Sequence, residues 1–246
     1  MSVERAAIVT GASSGIGLAI ARVLGEEGYA ITMAARRPDK LEAAVAGLAE
    51  EGYDVHAVPA NLAEEDEVKK VVEAHRERCG RLDVLVNNAG VGSGAPVAEI
   101  QTKRMDMQID INLRSIILFY RECADMLRAA GALHKRALVV NTASIAGKHG
   151  EAWLSVYSAT KHAVVGWTDS MNRELATEGI RSTALCPAFV DTPMTDFVKG
   201  QIAAEDMIRS EDIAESVRFL LKTSPACLVP EIQFIRPGDG FRSGAF

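Results

Sequence analysis

Tyr157 and Lys161 stand four residues apart in the run Tyr157-Ser158-Ala159-Thr160-Lys161. If that run is helical, both side chains rise from one face toward a common point. A cation beside a phenol favours the phenolate and draws a tyrosine pKa down from its usual ~10, toward the range where proton donation and abstraction are efficient. The pair is therefore a candidate general acid/base. Of the four tyrosines, only this one has a lysine four positions on. An ordinary amphipathic helix also sets a half-buried ring beside a snorkelling amine, so the chemistry depends on what accompanies the pair. Ser144 follows the apolar run Ala137-Leu138-Val139-Val140, where a buried strand would deliver its carboxyl end to a site. A hydroxyl there can hold a substrate oxygen beside the tyrosine.

The elements that would position these groups begin at the first apolar run, Ala6-Ala7-Ile8-Val9, with a strand expected over 5–10. It stops at Gly11-Ala12-Ser13-Ser14-Gly15-Ile16-Gly17 and passes into a helical pattern from Leu18 to Glu27. Strand, glycine turn and helix in succession are the setting in which backbone amides at a helix start bind a pyrophosphate. Such a turn also serves merely to join a strand to a helix. A second strand, 30–34, ends at Ala35-Arg36-Arg37. A carboxylate at this point would grip a ribose 2′-hydroxyl, whereas arginine accommodates a 2′-phosphate, so the pattern favours NADP over NAD. Solvated arginines opening the helix expected over 39–50 would look the same, more so for Arg37 than for Arg36.

Further strands are expected at 55–58, 82–86, 180–186 and 231–235, with an amphipathic helix over 66–78. The segment 102–130 carries Met105, Ile109, Leu113, Ile116, Ile117 and Tyr120 at helical spacing, interrupted by Asn112. That amide is either a satisfied core asparagine or a bridge toward the active site. The helix bearing Tyr157 runs on to Glu178. Residues 195–209 show no clean period, which marks 188–210 as a candidate mobile lid. Ser210-Glu211-Asp212-Ile213 is expected to be a capped helix start, leading into 214–221. Strand and helix alternation throughout implies one α/β domain over 1–246, built on a doubly wound, Rossmann-like parallel sheet.

Composition narrows the function classes. The chain has 246 residues, 48% hydrophobic and 24% charged, enough for one sizeable core. A net charge of −6 argues against nucleic-acid or anionic-membrane partners, which call for a basic face. Cys79, Cys123, Cys186 and Cys227 are widely spaced, with no C-x-x-C pair, so neither a metal site nor a disulfide framework is indicated. A cytoplasmic location is expected, with no secretory leader and no membrane-spanning run.

Taken together, Thr10-Gly11-Ala12-Ser13-Ser14-Gly15-Ile16-Gly17, Asn87-Asn88-Ala89-Gly90, Asn112, Ser144, Tyr157-x-x-x-Lys161, and Pro187 with Thr192 resemble the compact, single-domain branch of the short-chain dehydrogenase/reductase family. The resemblance covers nearly the whole chain. It implies hydride transfer between NADP(H) and a carbonyl or secondary alcohol, with Tyr157 as general acid/base. Ser144 would orient the substrate oxygen, Lys161 would tune the tyrosine and bind the nicotinamide ribose, and Asn112 would support a proton-relay water. It also implies a cofactor held by Gly11, Ser13, Ser14, Gly15, Ile16, Gly17, Arg36, Arg37, Asn61, Leu62, Asn88, Ala89, Gly90, Tyr157, Lys161, Pro187, Val190 and Thr192, and a homodimer or homotetramer.

A 3-oxoacyl-thioester reductase of the fatty-acid-synthesis type is an alternative within the class. A non-catalytic NADP(H)-binding regulator is the alternative from another class. A purely structural oligomer would explain the small residues on the helices but not the glycine loop. Three departures from the family pattern stand out: Asn61 where aspartate is usual, Ala188 where glycine usually follows the proline, and the ending Arg236-Pro237-Gly238-Asp239-Gly240. The substrate pocket is expected to be mostly apolar, lined by 92–95, Ile145, Trp153, Leu154, Ala188, Phe189, Met194 and Phe197. Lys148 and His149 are either receivers of an anionic group or solvated loop positions.

Overall fold

A computed structural model describes residues 4–200 and 202–237 of the chain. The expected ending at Gly238-Asp239-Gly240 lies outside the described residues. Among the described residues seven parallel strands are ordered β3-β2-β1-β4-β5-β6-β7: β1 Ala6–Thr10, β2 Ala30–Ala35, β3 Val55–Pro59, β4 Val84–Asn87, β5 Ala137–Thr142, β6 Ile180–Pro187 and β7 Glu231–Phe234. The central strands are buried on both faces, as their unbroken apolar runs require. Successive residues serve opposite cores: Ile8, Leu85 and Val139 pack with one cluster, Ala7, Val9, Val84, Val86, Leu138 and Val140 with the other.

One face is covered by α1 Gly15–Glu26, α2 Pro38–Glu50 and α7 Ser210–Lys222, through Ile20, Leu24, Leu41, Leu48, Ile213 and Val217. The other is covered by α3 Glu65–Cys79, α5 Ser115–His134 and α6 Ser155–Leu175, through Val68, Val71, Phe119, Leu127, Val164 and Met171. A short α4, Thr102–Ile109, runs into α5 through one widened π turn, Asp110–Arg114. Because the chain crosses from β3 over to β4, the strand order reverses beside β1. The carboxyl ends of β1 and β4 thus diverge and leave a crevice, the place where open α/β sheets bind ligands.

Expected element ends shift by a few residues. α1 begins at Gly15 rather than Leu18, because the helix starts inside the glycine turn. The capped helix start expected at 210–213 is present, with Arg209 rather than Ser210 in the cap position and Arg209 N donating to Asp212 Oδ2 at 3.1 Å. Among the described residues no helix is long and apolar enough to cross a membrane.

The face beneath β2 holds a buried titratable group. His75 of α3 is fully buried; Nε2 lies 2.9 Å from Arg81 O and so donates, leaving Nδ1, 2.8 Å from Thr32 Oγ1, to accept. Burial pushes its pKa down to about 4, against a smaller upward pull from the Arg81 carbonyl. The unfolded chain therefore takes up a proton below about 6.5 that the native state refuses until about 4. Stability present above 6.5 drains away between these values, by roughly 3 kcal/mol in total. Urea melts from pH 7 downward are expected to show this slope, and His75→Gln to flatten it; a parallel slope in the variant would assign acid sensitivity elsewhere.

Candidate active site

Three elements bring the chemically capable side chains together at the carboxyl rim of the sheet. Ser144 comes directly off β5 and opens a tight turn, Ile145–Gly147, in which its Oγ accepts from Ala146 N at 3.1 Å. Tyr157 lies in the first turn of α6, with Lys161 one turn on. Gly147 lets the serine turn rest directly on that helix, since a Cβ there would fall 2.7 Å from Lys161 O. Steric fit thus ties the serine to the tyrosine helix.

Tyr157 and Lys161 lie one helical turn apart on α6, with the ammonium near the ring. Lys161 Nζ sits 5.6 Å from the centroid of the Tyr157 ring and donates to Thr142 O at 2.7 Å, a strand-end carbonyl being its nearest acceptor. Burial pushes the Tyr157 phenol up, and a hydrogen bond with Ser144 opposes the rise. Lys161, 3% exposed, is drawn down to about 8 by burial, with Cys186 opposing.

Asn112 is fully buried on the π turn: Oδ1 accepts from Val91 N at 2.8 Å, while Nδ2 donates to Val91 O at 2.9 Å and Thr160 Oγ1 at 3.1 Å. Helical spacing on the sequence already places this amide on the apolar face; the widened turn that carries it is not legible there. Gly90 lies beside it, since a Cβ there would stand 3.5 Å from both Asn112 Oδ1 and Lys161 Nζ.

The crevice at β1 and β4 has the features a dinucleotide needs. Gly11 and Gly15 have φ of +63° and +55°, and a Cβ on Gly17 would fall 2.4 Å from Gly11 O. No side chain caps α1, no acidic residue occupies its first turn, and Ser14 offers no cap hydrogen bond, so the first-turn amides are free to meet phosphate oxygens. Ser13 and Ile16 flank them, both partly exposed. Asn88 Nδ2 braces the loop by donating to Thr10 O at 3.1 Å and Gly11 O at 3.3 Å, and Ala89 N donates to Thr10 Oγ1 at 3.0 Å. At the end of β2, Arg36 and Arg37 are exposed and form no ion pair among the described residues. Asn61 is exposed just past β3, beside buried Leu62. Across the crevice, Pro187 ends β6, Val190 is buried, and the Thr192 methyl group packs on Gly15. These groups fit a phosphorylated dinucleotide.

The segment from 188 to 210 leaves and re-enters the body at one place. Val190 pairs with Ile208 as an isolated bridge, with Asp191 N donating to Ile208 O at 2.8 Å. Between these points Lys199 pairs with Asp191 and Asp196 at 3.0 and 2.8 Å, while Met194 and Phe197 stay 48% and 62% exposed. Lys148 is not available to an anionic group: its Nζ pairs with Glu231 Oε2 at 2.8 Å, joining the serine turn to β7. His149 is exposed. A cleft of about 210 Å³ includes Ser93, Gly94, Ala95 and Trp153 of the expected lining. The rest of that cleft comes from 99–101, from Arg104, Met105 and Gln108 of α4, and from Ser155 and Val156 at the start of α6, and not from the segment beyond Pro187. Gln108 was not singled out in the sequence; its signal is a polar side chain four residues before Asn112 on the same helix face.

A family model described as short chain dehydrogenase matches residues 5–202. The chain is 40% identical over 207 residues to a putative ketoacyl reductase of the monensin polyketide synthase from Streptomyces virginiae, covering 83% of this chain and 78% of the relative. It is 35% identical over 230 residues to the 3-oxoacyl-acyl-carrier-protein reductase FabG of Staphylococcus aureus, covering 89% and 92%. A crystal structure of a variant actinorhodin polyketide ketoreductase with NADPH superposes with a TM-score of 0.85 at 32% identity, covering 95% of this chain and 97% of the other.

Proposed function

The chain belongs to the short-chain dehydrogenase family, and from that premise we propose an NADP(H)-dependent oxidoreductase acting on a carbonyl or secondary-alcohol substrate. The observation that carries this reading is the convergence of Ser144, Tyr157 and Lys161 beside an uncapped, glycine-opened helix at the reversal of strand order. When bound, the nicotinamide supplies or takes up the hydride.

In the reductive direction the Tyr157 hydroxyl gives its proton to the substrate oxygen, and in the oxidative direction the phenolate takes it back. Ser144 Oγ holds the same oxygen and meets the charge that develops on it, an interaction stronger in the transition state than in the ground state. Lys161, held in place by Thr142 O, binds the nicotinamide ribose and lends positive charge to the phenol when protonated. Asn112 orders the backbone at Val91 and, in the relay role, a water between Lys161 and solvent.

The glycine turn with Ser13, Ser14 and Ile16 receives the pyrophosphate. Asn61, Leu62, Asn88, Ala89 and Gly90 border the adenosine half and the ribose. Pro187, Val190 and Thr192 border the nicotinamide. Arg36, assisted by Arg37, pairs with the 2′-phosphate, for which the missing carboxylate at the end of β2 leaves room. Arg36→Asp is expected to weaken NADPH binding by about tenfold or more, the worth of a charge-assisted pair, and NADH binding little. Fluorescence titration with both cofactors checks this; equal losses would remove Arg36 from the 2′-phosphate.

Two relatives carry ketoacyl-reductase names, which supports a 3-oxoacyl thioester as the finer substrate. Trp153 at the cleft, and Met194 and Phe197 on the segment beyond Pro187, are exposed apolar side chains that agree with an acyl chain. The segment 188–210 acts as a lid hinged at the Val190 and Ile208 pairing on an otherwise single domain. Exposed Ile109, Leu133 and Phe219 support a homodimer or homotetramer, and four free cysteines agree with a reducing cytoplasm. A panel of ketones, aldehydes, alcohols and 3-oxoacyl thioesters, assayed by NADPH absorbance with NADH in parallel, tests the proposal. Turnover supports it; NADPH binding without turnover of any member would favour a non-catalytic regulator.

A further inference from the structure

Residues 91–95, which follow β4 and pass over the tyrosine, are held in an alternating way. Odd positions are tied through their backbone. Val91 exchanges two hydrogen bonds with the side-chain amide of Asn112, at 2.8 and 2.9 Å. Ser93 N donates to Gln108 Oε1 at 3.2 Å, and Gln108 Nε2 donates back to Ser93 Oγ at 3.0 Å. Ala95 N donates to Trp153 O at 2.9 Å. Even positions are glycines lying on aromatic rings. A Cβ on Gly92 would stand 3.6 Å from Cδ2 and Cε2 of Tyr157, an ordinary contact, whereas one on Gly94 would fall 2.4 Å from the Trp153 indole.

Two further features show that this arrangement is imposed from outside the strap. Trp153 has φ +70°, a left-handed conformation that a bulky side chain adopts only when its surroundings hold it there. Its indole nevertheless remains 53% exposed, so burial of the ring is not what holds it. Gln108 is 2% exposed, and both ends of its amide are turned to Ser93. A buried amide serving one irregular segment fixes that segment in place.

We infer that the strap 91–95 sets the tilt of the Tyr157 ring and the width of the substrate entrance, and that Gln108 and Trp153 are positioning residues acting through it. The inference rests on the reading of Tyr157 as the acid/base. Asn112 anchors the strap where it leaves the cofactor crevice, Gln108 anchors its middle, and Trp153 clamps its far end. The ring of Tyr157 lies under Gly92, between the first two anchors. Slack in the middle or at the clamp would let the phenol oxygen wander from the line between Ser144 and the substrate.

The test uses Gly94→Ala, Trp153→Ala, the double variant and Gln108→Met, with kcat, carbonyl KM, NADPH Kd and Tm measured for each. Gly94→Ala forces the indole off the strap and is expected to lower kcat by about tenfold or more, since small misplacements of a catalytic group cost that much. NADPH Kd should stay within about twofold, because the cofactor loop is untouched. In the double variant the added methyl has room, so kcat should return to the level of Trp153→Ala alone, a non-additive rescue. Gln108→Met should lower kcat and displace the pH limb assigned to the phenol.

Unchanged kcat in Gly94→Ala, additive losses in the double variant, or losses matched by falls in Tm and cofactor binding would each overturn the inference while leaving wild-type turnover intact. A wild type without turnover would instead overturn the reading of Tyr157 and the inference with it.

Discussion

Tyr157→Phe is expected to lower kcat for carbonyl reduction by about 10³-fold, the range in which a positioned general acid contributes. NADPH affinity should change only a few-fold. The substitution removes one oxygen and keeps the ring, which packs beside Gly92 and near Lys161. What is lost is the proton donor and one of the two hydroxyls facing the developing charge; Ser144 alone would then carry it, with no proton to complete the step. Stopped-flow measurement of NADPH consumption, with binding titrated separately, distinguishes this from a cofactor defect. An equal loss of affinity and rate would mean that Tyr157 serves binding rather than chemistry. Lys161→Met should also reduce kcat, but it should weaken cofactor binding as well, because the amine is buried against Thr142 O at the cofactor side of the site.

Gly17→Ala should be the most damaging single-methyl change in the cofactor half. The new Cβ would lie 2.4 Å from Gly11 O and 2.5 Å from Asn88 Nδ2. Neither neighbour can yield cheaply, since Asn88 Nδ2 is itself hydrogen-bonded to the carbonyls of Thr10 and Gly11. The glycine loop and the start of α1 must therefore separate, and the first-turn amides lose their common focus. Displacing two amides from an anionic group costs about 10²-fold in affinity. Titration of the folded variant with NADPH should show that loss. Affinity within a few-fold of wild type would place the phosphates somewhere other than this loop.

Much of this architecture is legible in the sequence for identifiable reasons. Strand positions show as apolar runs because the parallel sheet is buried on both faces. The glycine turn shows because Gly17 has no room for a side chain and Gly11 and Gly15 need positive φ. The spacing of Tyr157 and Lys161 shows because α6 is regular through both. The remainder depends on groups that spacing cannot connect. The acceptor of Lys161 is a backbone carbonyl, which leaves no signature in residue type. The partner of Lys148 lies on β7, 83 positions away. The π turn at Asp110–Arg114 and the left-handed backbone at Trp153 are local departures that residue spacing does not reveal. Long-range contacts and local departures from regular geometry are decided by packing, which residue spacing along one chain does not record.

Tyr157 is expected to serve as acid in one direction and base in the other. Measuring kcat/KM against pH for carbonyl reduction and for alcohol oxidation tests it most directly. Reduction should fall and oxidation should rise as pH passes through the same apparent pKa, with both limbs absent in the residual activity of Tyr157→Phe. Limbs of the same sign in both directions, or limbs that persist in the variant, would contradict it.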